Sequence, residues 1–169
     1  FVWGNMDTHE LYMDENNLRL ATNIRLQMSA LADELIQEGK FDKAKEILDL
    51  TFEKMPERNV PLSRVIVPMI NSYVEAGDKA KADELSNKLF DISESEFNFY
   101  TSKDIRHILE LTQEIEINSL ICKQLMQLAR IHNMDSLDDF TGRFAQMEAQ
   151  LSAVANQIQR APSGGGVNY

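Results

Sequence analysis

The chain of 169 residues carries 17 Lys and Arg against 27 Asp and Glu, a formal net charge of −10, and one cysteine, Cys122. One cysteine excludes an intramolecular disulfide and a zinc site built from several cysteines. The negative charge argues against binding to a nucleic-acid backbone, and the apolar content of 43% is enough for a folded core. No apolar run reaches the ~18–20 residues that span a bilayer.

Few residues interrupt the chain, which has seven glycines and four prolines. Since glycine and proline mark turns, their scarcity predicts an all-α fold of helical hairpins. Residues 1–15 show no helical period. We expect them to form an extended arm that places aromatic side chains, among them Trp3 and Tyr12, on a neighbouring surface.

The first predicted hairpin begins with a helix from about Asn17 to Glu38. Gly39 follows, and glycine adopts the left-handed backbone that ends many helices. A second helix starts near Phe41 and ends at Pro56, which lacks the N–H of a continuing helix. The inward stripe of the first helix is predicted to be Ala21, Ile24, Met28, Leu31, Ala32 and Leu35.

The second predicted hairpin follows Pro61. Pro68 lies inside the third helical pattern, so either regular hydrogen bonding begins near it or the helix bends there. Gly77 ends this helix, and a fourth helix begins at Asp78 and continues to about Tyr100. Residues 16–100 therefore form two helix pairs.

Residues 101–161 are predicted to form a C-terminal helical pair. Thr101 and Asp104 resemble a capping box, and residues 103–133 form one helix or two helices broken near Asn118–Ser119. Asp135 or Ser136 caps the last helix. Its heptad stripe over residues 137–158 packs on the preceding helix or forms a homodimer seam. Residues 162–169 are expected to be disordered.

The two hairpins repeat with a spacing of 38 residues, from Gly39 to Gly77 and from Ala44 to Ala82. The first resembles a tetratricopeptide repeat, which has small residues where its helices cross, a glycine at the turn and a closing proline. The matching residues of the first hairpin are Ala32, Gly39, Ala44 and Pro56. The second hairpin keeps Tyr73, Gly77, Ala82 and Leu89 but has Glu94 in place of the proline. A generic helical bundle with coincidental glycines is the alternative.

A second resemblance covers about residues 1–100. It rests on WGNMD at Trp3–Asp7, followed by Tyr12, Asp14, Glu15 and Asn17, on LADELIQEGKFDKAKEILDLTFEKMPERNVP, and on YVEAGDKAKADEL. These segments resemble the C-terminal soluble region of large bacterial multi-pass membrane proteins of uncharacterised function. The membrane domain of those proteins is similar to protein O-mannosyltransferases.

This resemblance implies that the chain is a fragment of a longer membrane protein, in agreement with its start at Phe1. The domain would face the periplasm at the inner membrane. Any glycosyl transfer would use acidic residues of the absent membrane domain, so no catalytic residue is carried over. The alternatives are a free-standing cytoplasmic adaptor of tetratricopeptide type and, less favoured by the sequence, a hydrolase or transferase.

The residues themselves point to no catalytic, cofactor-binding or metal site. His9 lies in the sequence DTHE, which lacks the second histidine of a zinc-binding HExxH motif. Asp135, Asp138 and Asp139 lack the spacing of a calcium loop and suit the start of a helix better. Cys122 is expected to be a buried small hydrophobe. His107 and His132 are expected to be structural or exposed.

The concave face of the repeats is the best candidate for an interaction surface. We expect it to bind a protein or peptide, with the chain's own membrane domain as one candidate partner and no nucleic acid. A solvated face without a partner is the alternative. The predicted groove residues are Ser29, Asp33 and Gln37 on the first helix, and Arg64, Asn71 and Glu75 on the third.

Overall fold

The structure, a computed structural model, describes residues 4–160, with side chains as far as Gln159. Over this range the chain is all-α, as predicted, and contains no strand. The seven helices are α1 (Glu15–Gln37), α2 (Phe41–Lys54), α3 (Val67–Glu75), α4 (Lys79–Thr101), α5 (Ile105–Glu110), α6 (Thr112–His132) and α7 (Leu137–Arg160). Trp3 and the tail 162–169 lie outside the described residues, so the expectations for them stay predictions. Tyr12 is 96% exposed, so its expected placement on a neighbouring surface is wrong. Residues 4–8 form a turn, so the arm is not extended there.

The helices divide into two compact units. The first unit comprises the chain up to Leu89 together with Ile131–Met134. The second comprises Phe90–Arg130 and the chain from Asp135 onward. Helix α4 therefore contributes residues to both units.

Helix α1 begins where the Asp14 side chain accepts a hydrogen bond of 2.8 Å from the Asn17 backbone N–H. Ala21 and Ala32 are buried, as predicted. The predicted inward stripe is wrong at Leu31, which is 44% exposed, whereas the polar residues Arg25 and Ser29 of the same helix are buried. The hydrophobic pattern misplaced the stripe because it treats an arginine as an outward-facing residue.

The ends of α1 and α3 are matched turns, 38 residues apart. Gly39 and Gly77 have positive φ angles of 73° and 86°. The backbone N–H one residue beyond each glycine donates to the carbonyl five residues earlier, from Lys40 to Leu35 and from Asp78 to Tyr73, both at 2.8 Å. This is the Schellman arrangement, which the left-handed residue makes possible.

Prolines set the limits of the connection between α2 and α3. Helix α2 ends at Lys54, two residues before Pro56. Pro68 lies in the first turn of α3, after a 3₁₀ turn at Arg64–Ile66, where its missing N–H costs no hydrogen bond. Of the two interpretations of Pro68, the helix start is therefore right and the bend is wrong.

Small and aromatic side chains fill the core of the first unit. Ala44 and Ala82, which the sequence predicts at helix crossings, are both fully buried. Tyr73 is also fully buried, donates to Asp49 at 2.8 Å and stacks on Phe52 with ring centroids 6.2 Å apart. Burial is the main cause that raises the pKa of Tyr73 above its ordinary value.

In the second unit, α7 packs on the C-terminal half of α4. The rings of Phe90 and Phe140 stack at 4.3 Å, and further along both helices Gln150 donates to the Thr101 hydroxyl at 2.7 Å. Residue numbers increase in the same direction along both helices from the first contact to the second, so the two helices run parallel. Of the α7 stripe, Phe140, Phe144 and Met147 are buried, while Leu151, Val154 and Ile158 are half-buried.

Two expectations for the segment between α4 and α6 need correction. Thr101 is the last residue of α4 and donates to the Phe97 carbonyl, so no capping box forms there; Asp104 alone caps α5. Residues 103–133 form two helices, but the break is at Leu111. Asn118 lies inside α6, where its side chain donates to the Glu114 carbonyl one turn earlier.

Candidate interaction surface

The α1–α3 face, defined by Asp33 and Gln37 of α1 and Asn71 and Glu75 of α3, carries four of the six predicted groove residues. Each pair is spaced by one helical turn, so both members lie on the same side of their helix. Asp33 and Asn71 are 38 residues apart, as are Gln37 and Glu75. The two helices therefore contribute polar side chains from corresponding positions.

A hydrogen bond across the helices positions Asp33. The Ser72 hydroxyl lies 2.5 Å from the Asp33 carboxylate and 2.9 Å from the Pro68 carbonyl. Ser72 is buried and Asp33 is half-buried. Since a hydroxyl has one proton, Ser72 donates to one acceptor at a time, and the carboxylate keeps lone pairs for another donor.

Asn71 is held by hydrogen bonds on both ends of its amide. Its N–H₂ group donates to Glu75 at 2.7 Å, and its oxygen lies 2.9 Å from His132 Nε2. Because the amide oxygen only accepts, His132 donates from Nε2. The Lys79 ammonium also donates to the Asn133 carbonyl. Two hydrogen bonds therefore join residues 131–134 to the rest of the first unit.

The other predicted groove residues are not brought into this arrangement. Ser29 is only 3% exposed, so its assignment to an open groove is wrong. It lies one turn before Asp33 on the buried side of α1, where a small side chain permits close packing. Arg64 is exposed, and within residues 4–160 no side-chain hydrogen bond or ion pair joins it to the other groove residues. Gln37 belongs to the α1–α3 face but is also exposed and makes no such bond to its other members.

A buried arginine fixes the connection that leads into α3. The Arg25 guanidinium donates to the carbonyls of Met55 and Val60, both at 2.7 Å, and to that of Pro61 at 2.9 Å. Its carbon lies 5.7 Å from the centre of the Phe52 ring. Burial lowers the pKa of Arg25 to about 10, so the side chain remains charged at neutral pH.

Ser72 and His132 are the two contributors to the face that sequence reasoning missed. Ser72 sits in an apolar helix without a motif around it. His132 is 61 residues from its partner Asn71. No local pattern could have found that contact, because it depends on where the end of α6 packs.

The histidines and the cysteine considered in the sequence analysis are dispersed over the described residues. No group of three His, Cys, Asp or Glu side chains within residues 4–160 is arranged to hold a metal ion. Cys122 is fully buried, and burial raises the pKa of its thiol to about 12, which disfavours the reactive thiolate. His9 and His107 are exposed, and each contacts a neighbour in sequence, Thr8 and Asp104 respectively.

Neither family nor relative could be assigned by comparison: no protein-family model, no curated protein and no solved structure matches the chain. Among the described helices, none is both long and apolar enough to cross a membrane.

Proposed function

We propose that the chain is a non-catalytic helical-repeat domain that binds a protein or peptide partner through the α1–α3 face. The observation that supports the proposal is that Asp33 and Gln37 of α1 correspond, 38 residues apart, to Asn71 and Glu75 of α3, with Asp33 hydrogen-bonded to Ser72 of α3. These are equivalent positions of two hairpins whose turns have the same hydrogen bonds. A repeated array of this kind presents similar groups at regular intervals along one face.

The chemistry of the face fits an extended segment with basic side chains. Gln37 can both donate to and accept from a peptide backbone, and it is exposed. Glu75 is exposed and Asp33 is half-buried, so both carboxylates can receive a lysine or arginine. The overall charge of −10 favours the approach of a basic partner.

The resemblance to the membrane-protein family adds a proposed setting. There the domain would act as an interaction or scaffold region on the periplasmic side of a glycosyltransferase-like membrane protein. A free-standing adaptor of tetratricopeptide type is the second candidate, supported by the matched turns at Gly39 and Gly77. Apolar segments of spanning length encoded upstream would favour the first, and a start codon directly before Phe1 the second.

A displayed library of extended peptides tests the interaction directly. Peptides selected on the wild-type chain are measured again on Glu75→Lys and Gln37→Ala. Both positions are exposed, so we expect the helical circular dichroism spectrum to be unchanged while binding weakens, more so for Glu75→Lys.

The matched control is Glu116→Lys, which makes the same charge change at an exposed position of α6. Selected peptides should bind this variant as they bind wild type. Equal losses of peptide binding in the two lysine variants would show that net charge alone causes the effect. A library that yields no binder would contradict the proposed interaction domain.

A further inference from the structure

Residues 4–13, which we term the arm, are bound to the first unit chiefly through one asparagine. The Asn59 amide nitrogen donates to the carbonyls of Met6 and His9 at 2.7 and 2.6 Å, and its oxygen accepts from the Leu11 N–H at 2.7 Å. Asn59 is only 3% exposed. A single side chain thus forms hydrogen bonds with three backbone groups of a non-helical segment.

Three further contacts depend on the side chains of the arm. Met6 and Met13 pack against a buried cluster that contains Met55 and Val60. Asp7 forms an ion pair of 2.8 Å with Lys54. The hydrogen bond from Lys54 holds the pKa of the Asp7 carboxyl below its ordinary range.

Among the described residues, no backbone-to-backbone hydrogen bond joins the arm to the rest of the first unit. Within the described residues, its backbone-to-backbone hydrogen bonds are internal, from the N–H groups of Thr8 and His9 to the Asn5 carbonyl at 3.1 and 3.0 Å. These bonds make residues 4–8 a turn and not an extended chain. A non-helical segment held mainly by side chains of another part of the unit resembles a bound peptide more than a helix of the fold.

Several hydrogen bonds that fix the surface under the arm do not involve the arm. We call this surface the seat and define it by Lys54, Met55, Arg58, Asn59 and Val60. A turn closes on the Pro56 carbonyl, which accepts from the backbone N–H groups of Asn59 and Val60 at 3.0 and 2.9 Å. Arg25 holds the carbonyls of Met55 and Val60 from below. A site fixed in advance loses little entropy when it binds.

We propose that the seat is a peptide-recognition site, occupied in cis by the arm, that accepts in trans a segment with the same turn and with an apolar residue followed by an acidic one. The three bonds of Asn59 are independent of sequence. The apolar cluster and the Lys54 ammonium select the apolar–acidic pair, as they select Met6–Asp7. The seat shares no residue with the α1–α3 face, so the two proposals fail independently.

The arm competes with any such segment because it is covalently attached. A short tether gives a cis ligand an effective concentration in the millimolar range, which masks the seat from dilute peptides. The experiment therefore weakens the arm in the full chain with the double substitution Met6→Ala and Asp7→Ala. Both substitutions remove contacts with the seat, and neither alters a residue of the seat itself.

The probe is a fluorescent peptide with the sequence NMDTHELYM, residues 5–13 of this chain. Fluorescence anisotropy should show that it binds the double variant roughly tenfold more tightly than it binds wild type. Equal binding to the two proteins would overturn the proposal. So would loss of the helical spectrum in the double variant, because a displaceable arm requires that the unit fold without it.

A charge reversal identifies the site of binding. Adding Lys54→Glu to the double variant should weaken binding of the peptide. A peptide with lysine in place of aspartate should bind this triple variant with the lost affinity restored. Lys43→Glu, an exposed change on the same helix, should leave both peptides unaffected. If Lys54→Glu fails to distinguish the two peptides, binding occurs elsewhere and the seat is not the recognition site.

Discussion

The two units each depend on one arginine, but they neutralise its charge differently. Arg25 in the first unit is fully buried, and its partners are three backbone carbonyls and an aromatic ring. Arg143 in the second unit is 23% exposed at its side chain and forms ion pairs with Asp91, Glu94 and Asp139 at 2.7, 2.6 and 3.0 Å. Its guanidinium also lies 4.5 Å above the Phe90 ring.

The difference appears in the directions of the two pKa shifts. Burial is the main cause that lowers the pKa of Arg25 to about 10, and the negative charge of Glu57 opposes it only in part. The hydrogen bond to Glu94 is the main cause that raises the pKa of Arg143. The first arginine is thus a donor for the backbone, and the second is the centre of a surface charge network. Their removal should have different consequences.

The largest effect is expected from Arg25→Met. The methionine fills similar space but leaves the buried carbonyls of Met55 and Val60 without a donor, which costs about 3–5 kcal/mol in the free energy of unfolding. Urea denaturation followed by circular dichroism measures the loss. Since carbonyls carry no net charge, the loss should be the same at low and high salt.

Arg19→Met is the matched control, because Arg19 is exposed on the same helix. We expect it to change the free energy of unfolding by about 0.5 kcal/mol or less. A similarly small loss for Arg25→Met would mean that the loop carbonyls find other donors and that the buried arginine does not hold the connection.

Arg143→Met should cost less, about 1–2 kcal/mol, because its partners are partly solvated. The loss should shrink in about 1 M salt, which screens surface ion pairs. Arg106→Met, at an exposed position of α5, is the control. Salt-independent destabilisation by Arg143→Met would show that packing on Phe90, rather than the three carboxylates, accounts for its contribution.

The features that the sequence predicted correctly depend on local chemistry. Gly39, Gly77 and Pro56 end helices through their own backbone properties, so their positions in the chain sufficed. The buried alanines followed from the spacing of the hairpins. Pro68 was left open between two local outcomes, and the structure contains one of them.

The features that it missed depend on distant partners. Arg25 is buried because carbonyls 30 to 36 residues away accept its hydrogen bonds. Asn71 meets His132, and Asn59 binds the arm, through contacts that no periodicity encodes. The alternative with a break near Asn118–Ser119 was misplaced, because the break lies at Leu111 and Asn118 is inside α6.

The matched turns of the first unit give a smaller effect. Gly39→Ala and Gly77→Ala should each cost about 1 kcal/mol, because both glycines have positive φ and no neighbour would clash with the new Cβ. Gly142→Ala in α7 of the second unit should instead stabilise by about 0.5–1 kcal/mol, since that glycine is helical and exposed. Thermal or urea unfolding measures all three. Unequal losses in the free energy of unfolding for Gly39→Ala and Gly77→Ala would show that the two turns are not equivalent.

The smallest effect concerns the helix caps, where the units again differ. Asp14 caps α1 through its carboxylate alone, whereas Asp104 caps α5 and also accepts from the His107 ring at 2.7 Å. That hydrogen bond is the main cause that lowers the pKa of Asp104 below its ordinary value of 3.8. A carboxyl whose pKa is depressed on folding stabilises the folded state above its unfolded pKa and loses this contribution as the pH falls through its folded pKa.

A carboxyl-carbon NMR titration should therefore find a low pKa for Asp104 in wild type and a value closer to 3.8 in His107→Ala. An identical pKa in the two proteins would assign the shift to the backbone N–H groups of Arg106 and His107, the part of the cap that Asp104 shares in kind with Asp14.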